Sequence, residues 1–297
     1  MKIGAIIQAR MTSSRLPGKM LMDICGKPAL ERVIKRVQAS KVEDIIVATT
    51  VNDSDNAIVE LCEKLGCKYY RGSEDDVLLR VLEAAKAFEV DTIVEITGDM
   101  TLVDYRHIDT LIDVFNNNEC DIALNAEIFT FPRGFETRVL SREALERCNK
   151  ECDNPVDRQH CSTWMFWNPK GKQGYKIINW EAPTEQRRPN LEFTLDTAED
   201  LEFLNWIYSF ENAGYNFSNG LDCQTVINLV DTYPNKYAKV DKIKRKSVID
   251  EENEWYESHK NVKPLEKKGA KQDEQIQSPD NRIGRSRTRG RPSGKRK

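Results

Sequence analysis

Three cations stand within ten residues near the start of the chain, Arg10, Arg15 and Lys19, with Thr12, Ser13 and Ser14 between them and no acid in the interval. Guanidinium and ammonium groups alternating with hydroxyls and free backbone N–H groups suit a chelate for a polyanion such as a triphosphate. A solvated surface loop is the plain alternative, but an all-cation run in a chain with an acidic body favours the phosphate reading. Asp99 and Asp196 offer the complementary chemistry, because each follows an apolar run that ends in a polar turn. Carboxylate oxygens beside a phosphate site are hard ligands of the kind Mg²⁺ takes. Helix capping is the alternative role for such residues. At the second position Thr197 already accounts for the cap, which leaves Asp196 without that explanation.

Positioning these groups requires a sheet. Ile3 to Ile7 is too short for a helix and suits a buried parallel strand, and the chain then breaks at Pro17-Gly18, just before Lys19. A polar loop at the C-terminal end of a first strand sits where open α/β sheets bind ligands. Further strands are expected at Ile45–Thr49, Lys68–Tyr70, Thr92–Ile96, Asp121–Asn125 and Leu191–Leu195. Helices are expected between them, with Asp53 or Ser54 capping one and Ser73 capping another over Asp75–Phe88. Helical spacing continues from Ala198 to about Phe210 and again over Thr225–Leu229. The alternation predicts βαβ units and a mainly parallel α/β sheet. Residues 1–238 are read as one domain with a small inserted excursion at about 130–180. Residues 239–261 are read as a peripheral segment, in part helical, and 262–297 as a disordered basic tail.

The chain has 297 residues, ample for a sizeable core, and no window approaches 18 apolar residues, so no membrane span is expected. Its eight cysteines form no CxxC pair and Met1-Lys2-Ile3 begins no signal peptide, so reduced thiols and a cytoplasmic location are expected. Charge is divided unevenly: residues 239–297 carry 18 Lys+Arg against 10 Asp+Glu, while residues 1–238 carry a net −11. From Arg282 to Lys297 there are eight basic residues and no acid. Such a tail suits weak contact with nucleic acid or an anionic surface, and equally a solvated tail with no partner.

The string IIQARMTSSRLPGKML contains neither a Walker A motif nor GxGxxG. It closely resembles the N-terminal signature of the cytidylyltransferases that activate acidic sugars. These are the acylneuraminate and 3-deoxy-manno-octulosonate enzymes, with the best likeness to the spore-coat polysaccharide (SpsF-like) branch. Gly98-Asp99-Met100-Thr101-Leu102 resembles the family's Gly-Asp-Cys-Pro-Leu turn, and Leu195-Asp196-Thr197-Ala198-Glu199-Asp200-Leu201 its Val-Asp-Thr-Pro-Glu-Asp-Leu. Two segments match less well. Arg138 stands where a second acid is usual, and Gln159 where an acid is usual before His160.

The resemblance implies a Rossmann-like, mainly parallel sheet of the nucleotide-diphospho-sugar transferase (GT-A-like) type. It implies Mg²⁺-dependent transfer of CMP from CTP to an acidic sugar or sugar phosphate, with release of pyrophosphate, in surface or cell-wall polysaccharide biosynthesis, by a homodimer. By the same likeness Gln8, Ala9, Arg10, Ser13, Arg15, Lys19, Arg71, Ser73, Arg80 and Asp99 would bind the nucleotide. Arg10, Arg15, Lys19 and Asp99 would serve catalysis, Asp99 and Asp196 would hold the metal, and Arg133, Glu136, Arg158 and His160 would meet the substrate. Three other readings stay open: a different base, a GT-A glycosyltransferase, or a non-catalytic binder of anionic polymers acting through the tail. The second would want an Asp-x-Asp at a strand end, which neither Asp53-Ser54-Asp55 nor Asp231-Thr232-Tyr233 supplies. The third predicts that deleting 262–297 abolishes function.

Overall fold

Alternation along the first strand decides the architecture. In β1 (Ile3–Gln8), Ile6 faces one hydrophobic cluster while Ala5 and Ile7 face another, and all three are fully buried. A strand buried on both sides needs helices on both sides, which βαβ crossovers provide. The computed structural model describes residues 1–214 and 220–245. The expected peripheral segment beyond Arg245 and the basic tail 262–297 lie outside the described residues.

The other strands of the main sheet are β2 (Asp44–Thr50), β3 (Lys68–Gly72), β4 (Thr92–Thr97), β5 (Ile122–Leu124), β6 (Arg138–Ser141) and β7 (Ile177–Asn179). Their order across the sheet is β3-β2-β1-β4-β6-β5-β7. β1 pairs in parallel with β2 and β4, which sets Gln8 opposite both Ala48 and Thr97. One face is covered by α1 (Ala29–Val37), α2 (Asn56–Leu65) and α4 (Tyr105–Asn116). Val33 and Ile34 of α1 are completely enclosed there, each contributing about 1.5–3 kcal/mol by burial. The opposite face carries α3 (Val77–Ala87) and α5 (Arg142–Glu151). A third cluster gathers Phe131, Phe135 and Phe193 against α7 (Ala198–Asn212) and α8 (Cys223–Thr232), reached after the short helix α6 (Pro155–Gln159).

The mainly parallel α/β sheet is present, with local differences from the sequence-based expectation. β6 runs antiparallel to both neighbours, and four residues beginning with an arginine give too weak a strand pattern to announce it. Helix α3 starts at Val77 and is capped by Asp76, whose side chain accepts the Leu79 N–H. Ser73 instead accepts the Asp76 N–H one turn earlier. Neither Asp53 nor Ser54 caps α2, because both lie in a 3-10 turn, Asp53–Asp55, ahead of it. The expected strand at Leu191–Leu195 is an extended segment with one isolated bridge, Glu192 to Arg133. Thr197 does cap α7, in a reciprocal capping box with Asp200. Among the described residues no helix is long and apolar enough to cross a membrane.

Candidate active site

The loop after β1 folds back on itself because Gly18 donates to the Met11 carbonyl at 2.9 Å. Gly18 has φ +76°, a conformation glycine adopts without penalty, and it delivers the chain into a short 3-10 turn at Lys19–Leu21. The β4 turn approaches from the adjacent strand. Gly98 donates to the Gln8 carbonyl at 2.8 Å, and a Cβ there would meet that same oxygen at 2.7 Å and Met20 Sδ at 2.8 Å. Only glycine permits this contact. The turn holding Asp196 is tied to the same place, since the Leu195 N–H donates to the Asp99 carbonyl at 3.0 Å.

These backbone links converge on Lys19, which is only 8% exposed. Its ammonium donates to Asp99 Oδ2 at 2.8 Å and to Asp196 Oδ1 at 2.9 Å. A buried ammonium without partners would be costly, and here two carboxylates supply them. Burial works to lower the Lys19 pKa, but Asp99 and Asp196 outweigh it and raise it above the ordinary lysine value. For Asp99 burial pushes upward, while Lys19 and the Thr97 hydroxyl bring the carboxyl below its usual range. Asp196 Oδ1 also pairs with Arg15 at 3.0 Å, and its Oδ2 accepts from the Thr194 hydroxyl at 3.1 Å.

A cavity of about 720 Å³ opens over this cluster. Gln8, Ala9, Arg10, Ser13, Arg15, Lys19, Arg80, Asp99 and Asp196 line it, and so do Arg133, Glu136 and His160. Arg80 is almost fully enclosed, and its guanidinium donates to the Ser73 carbonyl at 2.5 Å. Burial, joined by the nearby Arg10, takes its pKa down to about 10.

Three expected contacts do not line the cavity. Arg71 is spent on the Thr50 and Asn52 carbonyls and the Asn56 amide, bracing the turn after β2. Ser73 is engaged with its own helix entry. Arg158 makes two hydrogen bonds to Asp76 Oδ2, at 2.9 and 2.7 Å, and further ones to Asn149 and the Cys152 carbonyl. These committed hydrogen bonds are the physical reason the two arginines stand apart from the site.

Other lining residues escaped the sequence reading. Arg138 pairs with Glu95 Oε1 at 2.7 Å, directly across the antiparallel β4–β6 ladder, and Gln8 Nε2 donates to the same oxygen at 3.0 Å. The arginine found in place of an acid is thus answered by an acid on the neighbouring strand. Glu192 lies between Arg133 and Arg245, at 3.6 and 3.8 Å. Burial raises the Glu192 pKa, only partly offset by Arg133. Arg245 comes from beyond the fading of the apolar pattern at Tyr237. It reaches Asp200 Oδ1 at 2.5 Å and Asp196 Oδ2 at 3.5 Å. No local sequence signal marks it.

The donor set fits a magnesium ion. Asp99 and Asp196 aim hard carboxylate oxygens at one point, now shared through Lys19 Nζ. Among the described residues no group of three or more His, Cys, Asp or Glu could form an all-protein cage. Two carboxylates completed by phosphate oxygens and water is the usual manner in which Mg²⁺ is held beside a nucleotide.

An open, mainly parallel sheet with a cationic loop after its first strand, Asp99 in the turn after β4 and Asp196 brought beside it from the extended segment ahead of α7 has the parts of a nucleotidyltransferase. The match is more particular: a cytidylyltransferase family model covers residues 4–262, and the chain belongs to that family. It is 35% identical to an uncharacterized protein of Methanocaldococcus jannaschii, over 79% of this chain and 92% of that protein. It is 29% identical to the spore coat polysaccharide biosynthesis protein SpsF of Bacillus subtilis, over 68% of this chain and 85% of the relative. Among solved structures, a cytidylyltransferase from Leptospira borgpetersenii superposes with a TM-score of 0.73 at 29% identity, covering 83% of this chain and all of the other. The protein is a cytidylyltransferase enzyme.

Proposed function

We propose that the enzyme transfers CMP from CTP to an acidic sugar or a sugar phosphate, releasing pyrophosphate. Arg10, Arg15 and Lys19 bind the β- and γ-phosphates and neutralise the charge that builds on the leaving group. Arg80, enclosed at the cavity wall, lies beside the cytosine. Asp99 and Asp196 would hold Mg²⁺, which when bound would supply Lewis-acid polarisation of the α-phosphate. The acceptor oxygen attacks the α-phosphorus in line, and its new P–O bond forms as the bond to the β-phosphate breaks. A sugar hydroxyl gives its proton to solvent, whereas a sugar phosphate has none to lose. Arg133, Glu136 and His160 orient the acceptor, and no protein nucleophile is needed.

The observation that carries this reading is the Lys19 bridge between Asp99 and Asp196, because one cation marks the point where both carboxylates and the phosphate loop meet. With a nucleotide bound, Lys19 would pair with its phosphates, and Asp99 and Asp196 would be free to hold the metal. The name of the Bacillus relative supports polysaccharide biosynthesis as the setting. A homodimer is part of the proposal, to be checked by sedimentation.

The experiment is a pyrophosphate-release assay with CTP and Mg²⁺ against a panel of 2-keto-3-deoxy acids, sialic acids and sugar 1-phosphates. Release that requires one acceptor class, and fails in Asp99→Ala, supports the reading. No release with any acceptor or with UTP, GTP or ATP in place of CTP contradicts it.

A further inference from the structure

Asp55 is fully buried, and no lysine or arginine pairs with it among the described residues. It occupies the N-cap position of α2 yet makes no hydrogen bond to that helix, so the ordinary reason for an aspartate there is missing. Its carboxylate points elsewhere. Oδ2 accepts from the Thr49 hydroxyl at 2.9 Å, the Thr50 N–H at 3.1 Å and the Thr50 hydroxyl at 2.6 Å. Oδ1 accepts the Met11 N–H at 2.8 Å, across 44 positions of sequence. Burial pushes this carboxyl upward, and the hydroxyl and amide donors more than reverse it, so Asp55 stays ionised.

Met11 lies at the heart of the cationic loop, between Arg10 and the three hydroxyls. Its N–H is held by Asp55 and its carbonyl by Gly18, so both sides of the residue are clamped. Without Asp55 the loop would keep its hairpin closure and the Ala9 N–H bond to the Ala48 carbonyl, but lose its anchor at Met11.

We propose that Asp55 is a positioning residue for the triphosphate, acting through the Met11 backbone to fix where Arg10 and the loop hydroxyls stand. The inference rests on the nucleotide reading above. It concerns only the β- and γ-phosphates, which gives it a signature distinct from general damage to the fold. Asp55→Asn keeps the volume but turns an N–H₂ group toward donors, leaving either Met11 or the threonine pair without an acceptor. Hydrogen bonds to charged groups are strong enough that CTP affinity should fall about tenfold to a hundredfold. CMP, which lacks the β- and γ-phosphates, should bind as it does to wild type.

The test measures CTP by calorimetry and CMP by NMR titration on wild type, Asp55→Asn, Thr49→Val and Thr49→Ser at one Mg²⁺ concentration. Thr49→Val removes one donor from Oδ2 and should shift the CTP-to-CMP ratio in the same direction by a smaller factor, and Thr49→Ser should restore it. If Asp55→Asn does not fold, the two Thr49 variants decide. Equal losses of CTP and CMP, or unchanged CTP binding in Asp55→Asn and Thr49→Val, would overturn the role of Asp55 alone. A wild-type protein that binds no CTP would overturn the nucleotide reading instead.

Discussion

The two halves of the cavity are built by different means. On the side proposed for the nucleotide, one contiguous loop from Gln8 to Lys19 supplies most of the groups, and its shape is set by backbone hydrogen bonds to β2, to Gly18 and within the Lys19 turn. On the side proposed for the acceptor, Arg133 and Arg138 come from one short stretch, Glu192 from a second segment and Arg245 from a third. Each arginine there is already matched to an acid: Arg133 to Glu136 and Glu192, Arg138 to Glu95, and Arg245 to Asp200. The loop cations are paired too, Arg10 with Glu74, Arg15 with Asp196 and Lys19 with Asp99 and Asp196, but Arg10 and Arg15 keep 41% and 50% of their side chains exposed, against 15% for Arg138 and Arg245. Recognition on the loop side can therefore draw on exposed guanidinium groups that exchange a carboxylate for a phosphate. On the acceptor side it depends on shape and on hydrogen bonds at the edges of ion pairs.

Four tests would break or sharpen that contrast. The largest effect belongs to the acceptor floor. Arg138→Glu alone sets two acids face to face across β4 and β6, where Glu95 is only 2% exposed, and should cost about 3–5 kcal/mol in denaturant unfolding. Combining it with Glu95→Arg should recover more than half of that loss, because the pair is then restored in reverse. No recovery would mean the pair is not what this floor requires.

On the loop side, Lys19→Ala should lower kcat/KM by about 10²–10³, as for loss of one oxyanion donor, in a steady-state pyrophosphate assay. A drop of less than threefold would place the charge of the loop elsewhere. Next in size, Arg245→Gln leaves Asp200 with only the Thr197 hydroxyl and backbone donors, and should reduce stability by about 1.5–3 kcal/mol in the same unfolding measurement.

The smallest effect is a pH dependence. Glu192 has a folded-state pKa raised chiefly by burial, so the stability it contributes is present at low pH and is lost as pH rises through that elevated value. Glu192→Gln should therefore match wild type in melting temperature near pH 4 and exceed it at about pH 7.5. The reverse order would show that Arg133 and Arg245 more than compensate for its burial.

The same contrast explains what could be read from the chain. β1 and its loop were legible because strand, turn and cations are contiguous, and so was Thr197, whose cap is a local device. Asp99 could be placed at a strand end, and Asp196 just ahead of a helix cap though not after a true strand, but their shared partner Lys19 lies 80 and 177 residues away. Ser73 and Asp76 are both plausible caps three residues apart, and only the path of the chain into α3 chooses Asp76. The pairing of Arg138 with Glu95 needs an antiparallel neighbour that a βαβ pattern does not announce. Arg245 belongs to no periodic segment. Its place follows from Tyr237, which packs on Phe193 and Phe203 and accepts the Glu192 N–H at 2.7 Å, bringing the end of the described chain across the site.

The most direct test of the central claim is calorimetric titration of CTP, UTP, GTP and ATP, with and without Mg²⁺, into wild type and Asp99→Ala. The account predicts that wild type selects CTP, that Mg²⁺ tightens its binding, and that Asp99→Ala abolishes the Mg²⁺ effect. Binding of no triphosphate, or CTP binding that Mg²⁺ strengthens equally in Asp99→Ala, would contradict it.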